Sequence, residues 1–155
     1  MAAEFELLSP TDKPALLAIS APELLPVCRA ALTELNYKVQ TATNREDFLG
    51  RFTQTPYQIV IVEDLFQTDR FTENATLQAL QAMPMNQRRQ AVIILIGRAL
   101  PTLSPMHAFQ LSVHAVVNTN DLGSLKQILQ KVVADSDLFL NLYRESQLRV
   151  AQGKA

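Results

Sequence analysis

The stretch that most constrains this chain is residues 57–67, Tyr-Gln-Ile-Val-Ile-Val-Glu-Asp-Leu-Phe-Gln. Residues 59–62 are all β-branched, with no polar residue alternating among them. A strand with one wet face alternates apolar and polar side chains. An unbroken run reads instead as a strand buried on both faces, as in a parallel sheet covered by helices. The run stops at two carboxylates, Glu63 and Asp64. In open α/β sheets ligands bind beyond the carboxyl ends of the strands. Glu63 and Asp64 are therefore the first candidates for a functional site.

Around that strand the chain alternates strand and helix signals. Residues 15–19 form a short apolar strand. Ser20 is placed to cap a helix, with Glu23 as capping-box partner and Pro22 in the first turn. Leu24, Cys28, Leu32 and Leu35 make the inward stripe of that helix, and Asn36 is a left-handed stop. Residues 38–42 read as a more polar edge strand. Thr43 or Asn44 caps a helix over 45–54 that turns Phe48, Leu49 and Phe52 inward. Residues 66–73 are polar loop. A helix over 74–83 is closed by Pro84. Residues 91–96 form a second fully apolar strand. Ser104 and Pro105 open a short helix to residue 111, and residues 115–117 form a last strand. Asp121 caps a long helix, with a kink or restart at Asp135-Ser136-Asp137. Five strands alternating with five helices imply an α/β fold, a parallel sheet with helices on both faces.

Composition narrows the function classes. The chain has 155 residues, 48% of them hydrophobic and 19% charged, which suits one globular domain. The net charge of −1, from 14 basic and 15 acidic residues, gives no drive toward nucleic acid or an anionic membrane. No apolar run reaches the ~20 residues of a membrane span. The N-terminus, Met-Ala-Ala-Glu-Phe-Glu-Leu-Leu, lacks a signal-peptide pattern, so a cytoplasmic protein is expected. A single cysteine, Cys28, gives no internal disulfide and no cysteine-clustered metal site. It lies on an apolar stripe and reads as an inert core thiol. His107 and His114 lack neighbouring carboxylates for a metal site. Gln87-Arg88-Arg89-Gln90 reads as a solvated helix end. Ser20, Ser104 and Ser112 have no His–Asp arrangement beside them. No catalytic residue, metal or cofactor is expected.

Several local patterns carry a resemblance. Pro22 is one. Asn36-Tyr37-Lys38-Val39-Gln40-Thr41-Ala42 looks like a Gly-Tyr-x-Val-x-x-Ala stretch. Asp47-Phe48-Leu49 sits where a Glu-Ala-Leu pattern would, and residues 57–63 sit where Pro-Asp-Leu-Val-Leu-Leu-Asp would. Together with residues 91–97 and 121–133, these resemble a response-regulator receiver domain over residues 14–134. The resemblance implies a flavodoxin-like, CheY-like three-layer α/β/α fold and a signalling role in a bacterial two-component system. It also implies a site of an acidic pair, a phosphoacceptor Asp, a hydroxyl residue and a Lys. Carried over by position, the acidic pair falls on Ile19 and Ser20, the acceptor on Glu63, the hydroxyl on Ile96 and the Lys on Asn118. The chemistry is lost at nearly every position. The first reading is thus a degenerate receiver, a non-enzymatic interaction module not controlled by aspartyl phosphorylation. Two alternatives stay open: an atypical receiver phosphorylated on Asp64, and a small-ligand-binding flavodoxin-like domain.

The chain divides on this reading into a flexible N-terminal arm (1–13), the receiver-like domain (14–134) and a C-terminal helical extension (135–155). Phe139, Leu142 and Tyr143 crowd apolar surface onto that extension. It either folds back on the core or packs on a protein partner or a second copy as a homodimer. Contact with a partner is the preferred reading, because exposed apolar patches mark such sites.

Overall fold

Burial on both faces is what residues 59–62 demand, and a computed structural model, describing residues 11–88 and 90–153, supplies it. Strand β3 (Ile59–Glu63) is buried at every residue. It lies between β1 (Lys13–Ala18) and β4 (Val92–Gly97), with β2 (Tyr37–Thr41) and β5 (Ala115–Asn118) at the edges. The order is β2-β1-β3-β4-β5 and all four pairings are parallel.

Alternate residues of the strands feed two cores. Ala15, Leu17, Ile59 and Ile61 point to α1 (Leu25–Glu34) and α6 (Leu125–Ala151). Leu16, Ala18, Val60 and Val62 point to α2 (Arg45–Gln54), α3 (Ala75–Ala82) and α5 (Pro105–Leu111). This is the three-layer α/β/α architecture expected from the sequence. The strand order reverses between β1 and β3, so the loops above them part and leave a cleft there.

Local chemistry sets the helix ends. Asn44 caps α2 by accepting from the Asp47 N–H (2.8 Å), while the Asp47 carboxylate accepts from the Thr43 N–H (2.9 Å). Asn36 takes a left-handed φ of 66° after α1. Helix α3 ends at Ala82, before Pro84, as the sequence reads. Pro84 also starts the next element: its carbonyl accepts from Gln87 and Arg88, and the short helix α4 (Met85–Arg88) follows.

Helix α6 departs from expectation in two ways. A 3-10 segment, Thr119–Ser124, precedes it, so Asp121 is no cap; its carboxylate accepts from the Thr102 hydroxyl instead. No kink follows at residues 135–137. The helix is continuous over 27 residues, holds no Pro or Gly, and Asp135 pairs with Lys131 one turn back (2.8 Å). At 1.5 Å per residue α6 is about 40 Å long. Most of the expected N-terminal arm, residues 1–10, lies outside the described residues.

Candidate functional site at the carboxyl end of the sheet

The site begins with Glu63, the last residue of β3. It is only 7% exposed. A buried carboxylate needs hydrogen-bond donors. Its Oε1 accepts from the backbone N–H groups of Ser20 (2.7 Å) and Ala21 (3.0 Å), in the loop after β1. The Ser20 hydroxyl in turn accepts from the Gln67 N–H (2.8 Å). The loops after β1 and β3 are thereby laced together. This corrects the reading of Ser20 as a helix cap. Its polar groups are committed to the β3 loop, and α1 starts later, with Leu24 at its cap position and no side-chain cap.

Asp64 turns the other way. Its N–H donates to the Ile96 carbonyl (2.9 Å), and its carboxylate lies over Gly97. A Cβ at residue 97 would come within 2.5 Å of the Asp64 Oδ2, so only glycine permits this approach. Burial pushes the Asp64 carboxyl above the ordinary carboxylate range. The Leu65 N–H opposes that shift, the Glu63 charge adds to it, and Arg98 opposes it. Ionised Asp64 is therefore a mild cost to the fold, absent below the ordinary carboxyl value of 3.8 and growing as pH rises through the raised one. Asp64→Asn should raise the melting temperature at pH 7 by less than about 2 °C, with the gain vanishing at pH 3. A gain independent of pH would refute this account; calorimetry across that range checks it.

Two asparagines brace the loops. Asn74 is 1% exposed; its Nδ2 donates to the carbonyls of Glu63 (3.0 Å) and Asp64 (2.8 Å). Its Oδ1 accepts from the Leu77 N–H (2.9 Å) and caps α3. Asn118, at the end of β5, donates to the carbonyls of Arg98 (3.0 Å) and Leu100 (2.9 Å) and accepts from the Asn120 N–H (2.9 Å). Both Nδ2 hydrogens of Asn118 are spent on the β4–α5 loop. Ile19 and Ile96 are buried in the α1–α6 core and add no polar group to the site. The remaining cleft, of about 460 Å³, is lined by Glu23, Asp64, Arg98, Thr119 and Asn120, among others. Glu23 and Arg98 approach to 4.0 Å and stay largely exposed, so they add little stability.

Comparison with solved structures places this geometry. A receiver domain of a putative LuxO repressor protein from Vibrio parahaemolyticus superposes with a TM-score of 0.64. The match spans 84% of this chain and 97% of that one at 10% identity. The fold is that of a response-regulator receiver domain. NtrX from Brucella abortus, in complex with ADP, matches over 93% of this chain but 30% of its own, with TM-score 0.68 and 12% identity. The receiver domain of a sensor histidine kinase from Pseudomonas aeruginosa, with a magnesium ion in its active-site cleft, gives a TM-score of 0.61 at 17% identity. That match covers 98% of the receiver and 79% of this chain. No protein-family model and no curated protein matches the sequence.

The receiver fold raises the question of a divalent cation, and the residues present do not suit one. Mg²⁺ takes near-octahedral oxygen coordination, usually from carboxylates and waters. Here the Glu63 Oε1 is bound to two amides, and the first-strand positions are Ile19 and Ser20. Among the described residues no three His, Cys, Asp or Glu side chains gather into a cation site.

Ser20, Glu63, Asp64, Ile96 and Asn118 thus come together at one end of the sheet. Phe139, Leu142 and Tyr143 do not join them. They lie exposed on the second half of α6, at the opposite end, where Asp137 acts on Tyr37 at the start of β2. Asn74 and Arg98 were missed in the sequence. Asn74 was legible only as a helix start, and Arg98 only as the residue after Gly97. Arg88, read as solvated, is 8% exposed. Its Nη1 donates to the Gln81 carbonyl (3.1 Å), and its Nε has no partner among the described residues. The histidines have structural roles: His107 meets the Ser104 hydroxyl, and the His114 Nδ1 accepts from the Ile93 N–H. Cys28 is fully buried, and burial, helped by the Glu63 charge, pushes its thiol up to about 12. Among the described residues no helix is long and apolar enough to cross a membrane.

Proposed function

We propose that this chain is a cytoplasmic, non-enzymatic receiver-fold signalling module that works by protein contact and is not switched by aspartyl phosphorylation. The observation that carries this reading is the Glu63 carboxylate held by the Ser20 and Ala21 amides. A phosphoacceptor must present a free carboxylate to a phosphodonor beside a cation. Glu63 instead spends its charge internally and fixes the β1 loop. Ile19, Ser20, Ile96 and Asn118 supply neither the anionic ligands nor the cation that phosphoryl transfer uses. Glu63 then acts as a permanent negative group that holds the two loops in one arrangement.

The contact surface in this proposal is the second half of α6, with Phe139, Leu142 and Tyr143 at 67%, 57% and 54% exposed. Side chains of that size on one helix mark a protein-binding face.

Magnesium with beryllofluoride, a mimic of the acyl phosphate, tests the reading. At 10 mM Mg²⁺ the melting temperature should move by less than about 1 °C, since a ligand stabilises only as it binds. Saturable stabilisation, or a gain of phosphoryl mass at Asp64 from acetyl phosphate, would replace this reading with that of an atypical working receiver.

A further inference from the structure

The apolar face of α6 has a period that specifies its occupant. Leu125, Leu129, Val132, Ser136, Phe139, Tyr143, Ser146 and Val150 are spaced alternately by four and three residues, the 3.5-residue period of a helix-pairing seam. The first three are buried in the domain's own core. Because α6 is unbroken, the same seam continues past the sheet, and there Phe139, Tyr143 and Val150 are exposed. Beside it lies an apolar groove of about 460 Å³ between α5 and α6, lined by Pro105, Ala108, Phe109, Phe139 and Leu140. Phe109 is 79% exposed at its rim.

We propose that a second copy of this chain docks antiparallel on this face, its α6 laid back along the first and its end seated in the groove. The proposal rests on the reading of α6 as the contact surface. Charge and length both select the orientation. In the antiparallel register Phe139 meets Tyr143 of the second copy, Ser136 meets Ser146, and the flanking Asp135 meets Arg149. The two-fold repeats that contact, so the two copies form two identical Asp–Arg ion pairs. A parallel, in-register pair sets no acid against a base at those flanks and leaves the groove empty. Length adds a second reason. Residues 136–150 span about two heptads, below the three to four that a free-standing coiled coil needs. Antiparallel docking adds the groove to the seam and makes up the shortfall.

Cysteine crosslinking of the full-length chain tests this, since Cys28 is buried and its thiol unreactive. The chain should sediment as a dimer at ~50 µM, a modest affinity for a seam of this size. Ser136→Cys combined with Ser146→Cys should oxidise to a covalent dimer, while neither single variant does. Residues 136 and 146 of one helix are about 15 Å apart, too far to close on each other. Asp135→Arg should weaken the dimer about tenfold, and Asp135→Arg with Arg149→Asp should restore it within about twofold. Efficient crosslinking by either single variant means a parallel pair and overturns the proposal, leaving α6 as the contact surface. A dimer that persists in Phe139→Glu/Tyr143→Glu overturns the contact-surface reading too. A chain monomeric at that concentration overturns self-pairing. The magnesium and beryllofluoride titration is independent of all three outcomes.

Discussion

Glu63→Ala will destabilise the domain by about 2–4 kcal/mol, because it leaves two part-buried N–H groups without an acceptor, each costing about 1–3 kcal/mol. Both amides donate to the one Glu63 Oε1, so without it they must find water or a new acceptor. Glu63→Gln keeps an acceptor oxygen at the same place and loses only the charge assistance, about 1 kcal/mol. Glu63→Asp is the informative third variant. It installs the side chain that a receiver would use, yet it is one methylene too short to reach both amides. Its cost should approach that of alanine, and it should gain no magnesium affinity, because Ile19 and Ser20 still offer no carboxylate. Urea unfolding with a constant slope measures all three. A loss below about 0.5 kcal/mol for Glu63→Ala, the range of ordinary surface substitutions, would show that the amides are not held by this carboxylate.

The fold was legible where burial alone decides the residue type. Residues 59–62 and 91–96 carry their two-sided burial in composition, and so the sheet centre could be read without knowing its neighbours. Asn36 and Asn44 were legible because their partners are local. The site was not legible in the same way. The Ser20 amide is bonded to a side chain 43 residues away, and no pattern near Ser20 distinguishes that from a helix cap. Capping explains a serine before a proline and a glutamate equally well, so local propensity gave the wrong partner. Asp121 failed for the same reason: its acceptor oxygen went to Thr102, 19 residues earlier. The expected break at residues 135–137 failed differently. Three short polar residues in a row look like a loop, but on a helix they are spread around the axis. Asp135 then finds Lys131, and the apolar seam passes through Ser136 undisturbed.

The second large effect is expected at Asn74, which does at the back of the site what Glu63 does at the front. Asn74→Ala removes two donors to the β3-terminal carbonyls and the cap of α3 at once. Because Asn74 is 1% exposed, its three former partners cannot all be rehydrated without moving the loop, and a loss of about 2–4 kcal/mol follows. Asn74→Asp separates the parts. It keeps the acceptor for the Leu77 N–H but turns the donor into a carboxylate oxygen facing two carbonyl oxygens, so it should be at least as damaging as alanine. Asn44→Ala, which removes an exposed cap of the same geometry, sets the scale at about 1 kcal/mol. If Asn74→Asp were as mild as Asn44→Ala, the carbonyl bonds would be dispensable. The functional consequence follows from the same bonds. A phosphate-driven receiver needs the loop after β3 to answer to a ligand. Here that loop is tied by Asn74 on one side and through Glu63 and Ser20 on the other, and amide exchange at residues 64–67 should be slow until the domain unfolds as a whole. Fast local exchange there would mean that the loop is free to switch.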